Sequence, residues 1–211
     1  MIMDKRRERK DLIIAKARET FLQKGLFNTV MDDIADRVGL TRRTLYRYFK
    51  TKEDLAYETT IVLLKEWNDY QKMIFDSLEG NGIERLESFL NNLIDYMSNK
   101  IEVMKYLGEF DFCFQDGTTL ELDTNVIVRF DEIILESDRL ITEIINLGQE
   151  DKSIKSDFDV KLMVATISNI LWSFGQRVAI RDKIIMKESG FPGLDLIKNQ
   201  VSIYIMAIKE D

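Results

Sequence analysis

The run TVMDDIADRVGLTRRTLYRYFKTKEDL, from Thr29 to Leu55, decides how this chain is read. Ile34, Ala35 and Val38 give a first short helix one apolar edge, and small Ala35 lets another helix approach closely. Gly39 supplies the positive φ that a sharp turn needs. Thr41 is a good N-cap for a second helix, on which Leu45 and Phe49, four residues apart, face inward. Arg42, Arg43, Tyr46 and Arg47 are left on the outer faces, so positive charge gathers at the start of that helix. The pattern is a helix-turn-helix. In that motif the second helix enters the DNA major groove with its N-terminal residues on base edges.

The charge distribution agrees. Residues 1–52 hold 14 Lys/Arg against 7 Asp/Glu, whereas residues 53–211 hold 16 against 30. A basic module on a strongly acidic body points the N-terminal quarter towards a polyanion, although the whole chain carries −7. Lys5, Arg6, Arg7, Arg9 and Lys10 form a basic arm that adds non-specific phosphate affinity.

Composition removes most other functions. With no histidine, His-based acid–base chemistry, Ser-His-Asp triads and His-ligated metals are excluded. One cysteine, Cys113, cannot form an internal disulfide or a thiolate metal cluster, and it is expected to be a small core residue. No Gly-rich phosphate loop or nucleophile motif occurs, so an enzyme is not expected, nor a cofactor. No apolar run approaches the ~20 residues of a membrane span. Met1–Arg7 lacks the apolar stretch of a signal peptide, so a cytoplasmic location is expected.

The fold class is all-α. Ten glycines and one proline punctuate a helical periodicity, and no hairpin signal or internal repeat appears. About nine helices are predicted, at 8–24, 31–38, 42–49, 52–79, 83–99, 101–115, 119–148, 156–187 and 194–209. Domains are expected at residues 1–51, the helix-turn-helix, and 52–211, a helical body joined to it through the long helix 4.

At residues ~10–55 the chain resembles the TetR-type transcriptional regulators. The resemblance rests on Thr29, Asp33, Ile34, Ala35, Gly39, Thr44, Leu45, Tyr46, Tyr48, Phe49, Thr51, Lys52, Glu53 and Leu55, with conservative replacements at Val38, Leu40 and Thr41. Where the family has a second threonine before the first motif helix, this chain has Val30; Thr29-Val30-Met31-Asp32 reads as a capping pattern shifted by one residue. The resemblance implies a repressor released from a palindromic double-stranded operator by a small hydrophobic or amphipathic effector. It assigns DNA contacts to Thr41, Arg42, Arg43, Tyr46, Arg47 and Tyr48, and a phosphate contact to Lys52. It also implies a ligand cavity among helices 4 to 8. The aromatic residues placed there are Trp67, Tyr70, Phe89 and Tyr96, then Phe110, Phe114, Phe130 and Trp172, each of which also suits a plain hydrophobic core.

The last two helices are apolar nearly all round, which demands burial nearly all round. Val160, Met163, Val164, Ile167, Leu171 and Phe174, with Ile197, Val201 and Ile205, are the expected homodimer interface. A factor of the same fold controlled by a protein partner, or by no effector, is the other reading.

Overall fold

The structure, a computed structural model, describes residues 2–114 and 122–210. Ten helices and no strand occur among them: α1 (Ile2–Lys24), α2 (Met31–Val38), α3 (Arg42–Tyr46), α4 (Lys52–Phe75), α5 (Gly82–Asn99), α6 (Ile101–Cys113), α7 (Thr124–Ser137), α8 (Arg139–Glu150), α9 (Val160–Ser189) and α10 (Gly193–Ile208). The all-α expectation holds. The helix expected at 119–148 is instead α7 and α8, parted at Asp138, and its expected start at 119–121 lies outside the described residues, as does Gly117. α1 starts at Ile2, well before the expected residue 8, because Lys5 to Lys10 are themselves adequate helix formers.

The chain divides into two compact units. The first takes residues up to 65 and 105–133, and the second takes 66–104 and residues from 134 onward. This division differs from the expected boundary at residue 51, because the first turns of α4 and most of α6 and α7 pack with the helix-turn-helix. Ile13, Ala17 and Phe21 of α1, Ile34 of α2, Leu45 and Leu55 are fully or almost fully buried in the first unit.

In the second unit, α5 shows why its residues form a helix. Asn81 accepts a hydrogen bond from the Glu84 N–H, and the Glu84 carboxylate accepts one from the Asn81 N–H, so two otherwise unpaired amides are satisfied at the helix start. Buried Leu86, Phe89, Leu90, Leu93 and Ile94 then recur at helical spacing and pack into a core shared with Ile144 and Ile145 of α8 and Ile167 of α9. α5 also crosses the end of α8 at Gly82, where a Cβ would overlap the backbone of Gly148.

This core takes up much of the stripe expected to form the dimer interface. Val164, Ile167, Leu171, Ile197, Val201 and Ile205 are all buried within the protomer, and Val160, Met163 and Phe174 pack partly buried against the same core. The six enclosed side chains leave little surface for a partner, whereas Val160, Met163 and Phe174 keep part of theirs. The faces of α9 and α10 that remain open carry other residues: Leu162 is 66% exposed, Ile170 40%, Ile203 46% and Met206 68%.

Candidate nucleic-acid interface

The turn of the motif closes as its residues dictate. Gly39 ends α2 at φ 70°, and the Leu40 N–H reaches back to the Ala35 carbonyl at 2.9 Å. Thr41 is extended, and its hydroxyl accepts the Thr44 N–H at 3.2 Å, capping α3. Leu45 and Phe49 are buried, so the helix has one rotational setting. That setting leaves Thr41, Arg42, Arg43, Tyr46 and Arg47 exposed and Tyr48 half-buried. Arg42 pairs with Asp32 at 3.1 Å and lies over the Tyr46 ring at 5.5 Å. An exposed pair of this kind is weak enough for a nucleic acid to replace. Arg43 and Arg47 make no ion pair among the described residues.

The turn between α1 and α2 is clamped from two helices. Lys52 of α4 donates from its Nζ to the carbonyls of Leu26 at 2.9 Å and Thr29 at 3.1 Å. The ammonium expected to meet a phosphate thus spends two of its three N–H donors on the protein's own backbone. Glu109 of α6 accepts from the Leu26 N–H and from the Phe27 N–H at 3.4 Å. Thr29 is fully buried, and its hydroxyl donates to the Gly25 carbonyl at 2.7 Å, an intramolecular role. The capping pattern shifts by one more residue than its spacing suggested: Asp33, not Asp32, accepts the Val30 N–H, at 3.0 Å. Cys113, expected in the core, is exposed at the end of α6.

Sequence reasoning missed Glu58. This α4 carboxylate is 4% exposed and takes Arg129 of α7 through both guanidinium nitrogens, at 2.8 and 3.1 Å, and Lys10 of α1 at 2.7 Å. Burial pushes its carboxyl up; hydrogen bonds from Arg129 and Lys10 more than offset that and hold it below the ordinary value. A folded-state pKa below the unfolded one stabilises the protein above the unfolded value, and that stability is lost as pH falls through the folded one. Glu58→Gln should therefore cost about 2 kcal/mol at neutral pH, the scale for a hydrogen bond to a charged group. The variant's urea midpoint should approach that of wild type as the pH falls below the carboxyl's ordinary value of 4.5. A gap that stays constant throughout the acid range would contradict the assignment. No local pattern reveals such a contact, because its three partners are far apart in sequence.

The eight aromatic residues expected around a ligand fall into two sets. In the first unit Phe110, Phe114 and Phe130 pack around Tyr57, with ring centroids 4.7–5.7 Å apart. In the second, Trp67 meets Tyr96 and Trp172 edge-on, each at 5.4 Å, and Tyr70 lies 4.5 Å from Tyr96. The Trp67 indole N–H donates to the Ser137 hydroxyl at 3.1 Å. Phe89 is fully buried in the core. Among the described residues no group of acids and cysteine is placed to hold a metal ion, and no helix is long and apolar enough to cross a membrane.

Comparisons with known proteins bear on both parts of the chain. The transcriptional repressor KstR2 of Mycolicibacterium smegmatis is 25% identical over 167 residues, which cover 78% of this chain and 76% of that protein. Two solved structures share the fold over nearly the whole chain. The ketosteroid transcriptional regulator KstR2 of Mycobacterium tuberculosis superposes with a TM-score of 0.63 at 18% identity, covering 96% of each chain. FadR of Bacillus subtilis, solved in complex with stearoyl-CoA, gives 0.61 at 15% identity, covering 92% of this chain and 96% of that one. Residues 13–59, which run from the middle of α1 through α2 and α3 into α4, match the family model for bacterial regulatory proteins of the tetR family. This segment, whose capped turn and outward arginines have just been described, is thus the part of the chain that matches the tetR family of bacterial regulatory proteins.

Proposed function

We propose that this protein is a homodimeric transcriptional repressor that leaves a palindromic operator when an apolar or amphipathic small molecule binds its helical body. The observation that carries the reading is α3 itself. Leu45, with Phe49 just beyond the helix, locks its inner side, and Arg43 and the C-cap Arg47 face outward with no ion partner among the described residues. Guanidinium groups so placed can take guanine O6 and N7 together, each good contact supplying ~1–3 kcal/mol of discrimination. Residues 1–51 are assigned to DNA, and the remainder to the effector and the second protomer.

The effector class is inferred from relatives and from composition. One structural neighbour is named for a ketosteroid and another was solved with an acyl-CoA, both with large apolar surfaces. The aromatic set around Trp67, Tyr70, Tyr96 and Trp172 is proposed to receive such a ligand, with Phe89 beneath it and the Phe110, Phe114 and Phe130 rings as a second candidate group. The dimer is assigned to the open faces of α9 and α10, where Leu162, Ile170, Ile203 and Met206 leave apolar surface that a monomer would expose to water.

Selection of bound duplexes from a random pool tests the reading and yields the site. On that site, Arg43→Ala should lower affinity by about 5- to 100-fold and relax preference at one base pair, with an unchanged melting temperature. Lys52→Ala should weaken binding to every sequence and lower the melting temperature as well, because it frees the carbonyls of Leu26 and Thr29. Failure to enrich any duplex would overturn the function. Added stearoyl-CoA or a steroid should release the DNA if the effector class is right.

A further inference from the structure

The first two turns of α1 and the end of α3 enclose a groove of about 430 Å³ lined by Lys5, Arg6, Thr44, Arg47 and Tyr48. Three of its five walls are cations, and none of the three is in an ion pair among the described residues. Placing like charges around a shared space costs free energy unless an anion occupies it. The groove contains Thr44 and Arg47, which belong to α3 and its immediate end. A single small anion would leave most of this volume empty; a run of phosphodiesters would not.

We propose that this groove grips the DNA backbone beside the bases that α3 reads, so that the basic N-terminal turns extend the footprint along the strand. The inference rests on the DNA-binding reading above and adds to it a fixed site with a defined wall. Of the five basic residues of the arm, only Lys5 and Arg6 line that wall. They are held there by helical structure continuous with α1, which Lys10 fastens to Glu58 at 2.7 Å one turn further on. A loose basic tail has no such anchorage. Neutralising two phosphates contributes a slope of about −1.8 in log K against log salt on B-form DNA.

The experiment compares two doubly substituted full-length proteins, Lys5→Gln with Arg6→Gln and Arg7→Gln with Arg9→Gln, on a labelled 30-base-pair mixed-sequence duplex between 50 and 300 mM KCl. Both lose two charges from the same helical turns, but only the first pair lines the groove. The first variant should lose about 1.8 from the salt slope, on the order of 50-fold in affinity at 0.1 M salt, and the second distinctly less. On the selected site, trimming the flanks should weaken wild type and leave the first variant nearly unaffected. Equal slopes in the two variants, or equal sensitivity to trimming, would overturn the groove while leaving the regulator standing. Wild type that binds no duplex at all would overturn both. Matching circular dichroism spectra for the two variants would separate either outcome from a frayed α1.

Discussion

Gly82→Ala should remove about 4 kcal/mol of folding stability, a large share of the 5–15 kcal/mol that holds an ordinary domain together. The reason is the crossing of α5 and α8, where an added methyl would overlap the Cα and N of Gly148. A flexible side-chain tip can yield to such a clash, but two backbones in contact can separate only by unpacking a core. Separation would also break the links that seat the start of α5: the Gly82 N–H on the Asp151 carboxylate at 2.7 Å and the Ile83 N–H on the Ser153 hydroxyl at 3.0 Å. Gly190→Ala is the control. It meets no atom within 4 Å and bears only the penalty of its left-handed φ of 78°, roughly 1–2 kcal/mol. Urea denaturation of the two variants side by side decides the matter. Equal midpoints would show that the α5–α8 crossing tolerates a methyl.

Ile167→Glu should be the other severe change, and its contrast with Leu162→Glu separates core from interface. Ile167 is completely buried, so a carboxylate there must ionise without a partner or remain protonated at neutral pH, either of which costs several kcal/mol. Loss of helical circular dichroism, or insoluble protein, is expected. Leu162, five residues earlier on α9, is 66% exposed, and a charge there meets only water in the single chain. If the open face of α9 joins two protomers, Leu162→Glu should retain full helicity and sediment as a monomer where wild type is a dimer. A Leu162→Glu dimer as tight as wild type would move the interface elsewhere. An Ile167→Glu protein that is folded and monomeric would return it to the stripe first expected.

The two faces of α9 show where sequence reasoning ends. Both sides of α9 and α10 are apolar, so the 3.6-residue period identifies two stripes without saying which one meets the chain's own core and which a second chain. The helix-turn-helix was legible because its information is local: Gly39 must turn, Thr41 must cap, and Leu45 and Phe49 must share a side. Contacts that join distant residues were not legible. The Glu109 carboxylate on the Leu26 amide spans 83 positions, and Glu58 to Arg129 spans 71. Lys52 is an intermediate case. The resemblance assigned it a phosphate contact, and in the folded chain its ammonium also ties down the turn between α1 and α2. The break at Asp138 carries no glycine or proline to announce it, and the periodicity of residues 119–148 runs straight across.

The placement of the two tryptophans has an optical consequence. Trp67 and Trp172, the only two in the chain, touch edge-on at 5.4 Å, and both belong to the second unit. Excited at 295 nm, the protein emits from that unit alone, and the helix-turn-helix is dark. Intrinsic emission is thus a label-free channel for whatever happens around Trp67, undiluted by events at the DNA. The tyrosines make no such division: Tyr57 and Tyr106 lie in the first unit and Tyr70, Tyr96 and Tyr204 in the second, so the tryptophan channel alone reports on one half.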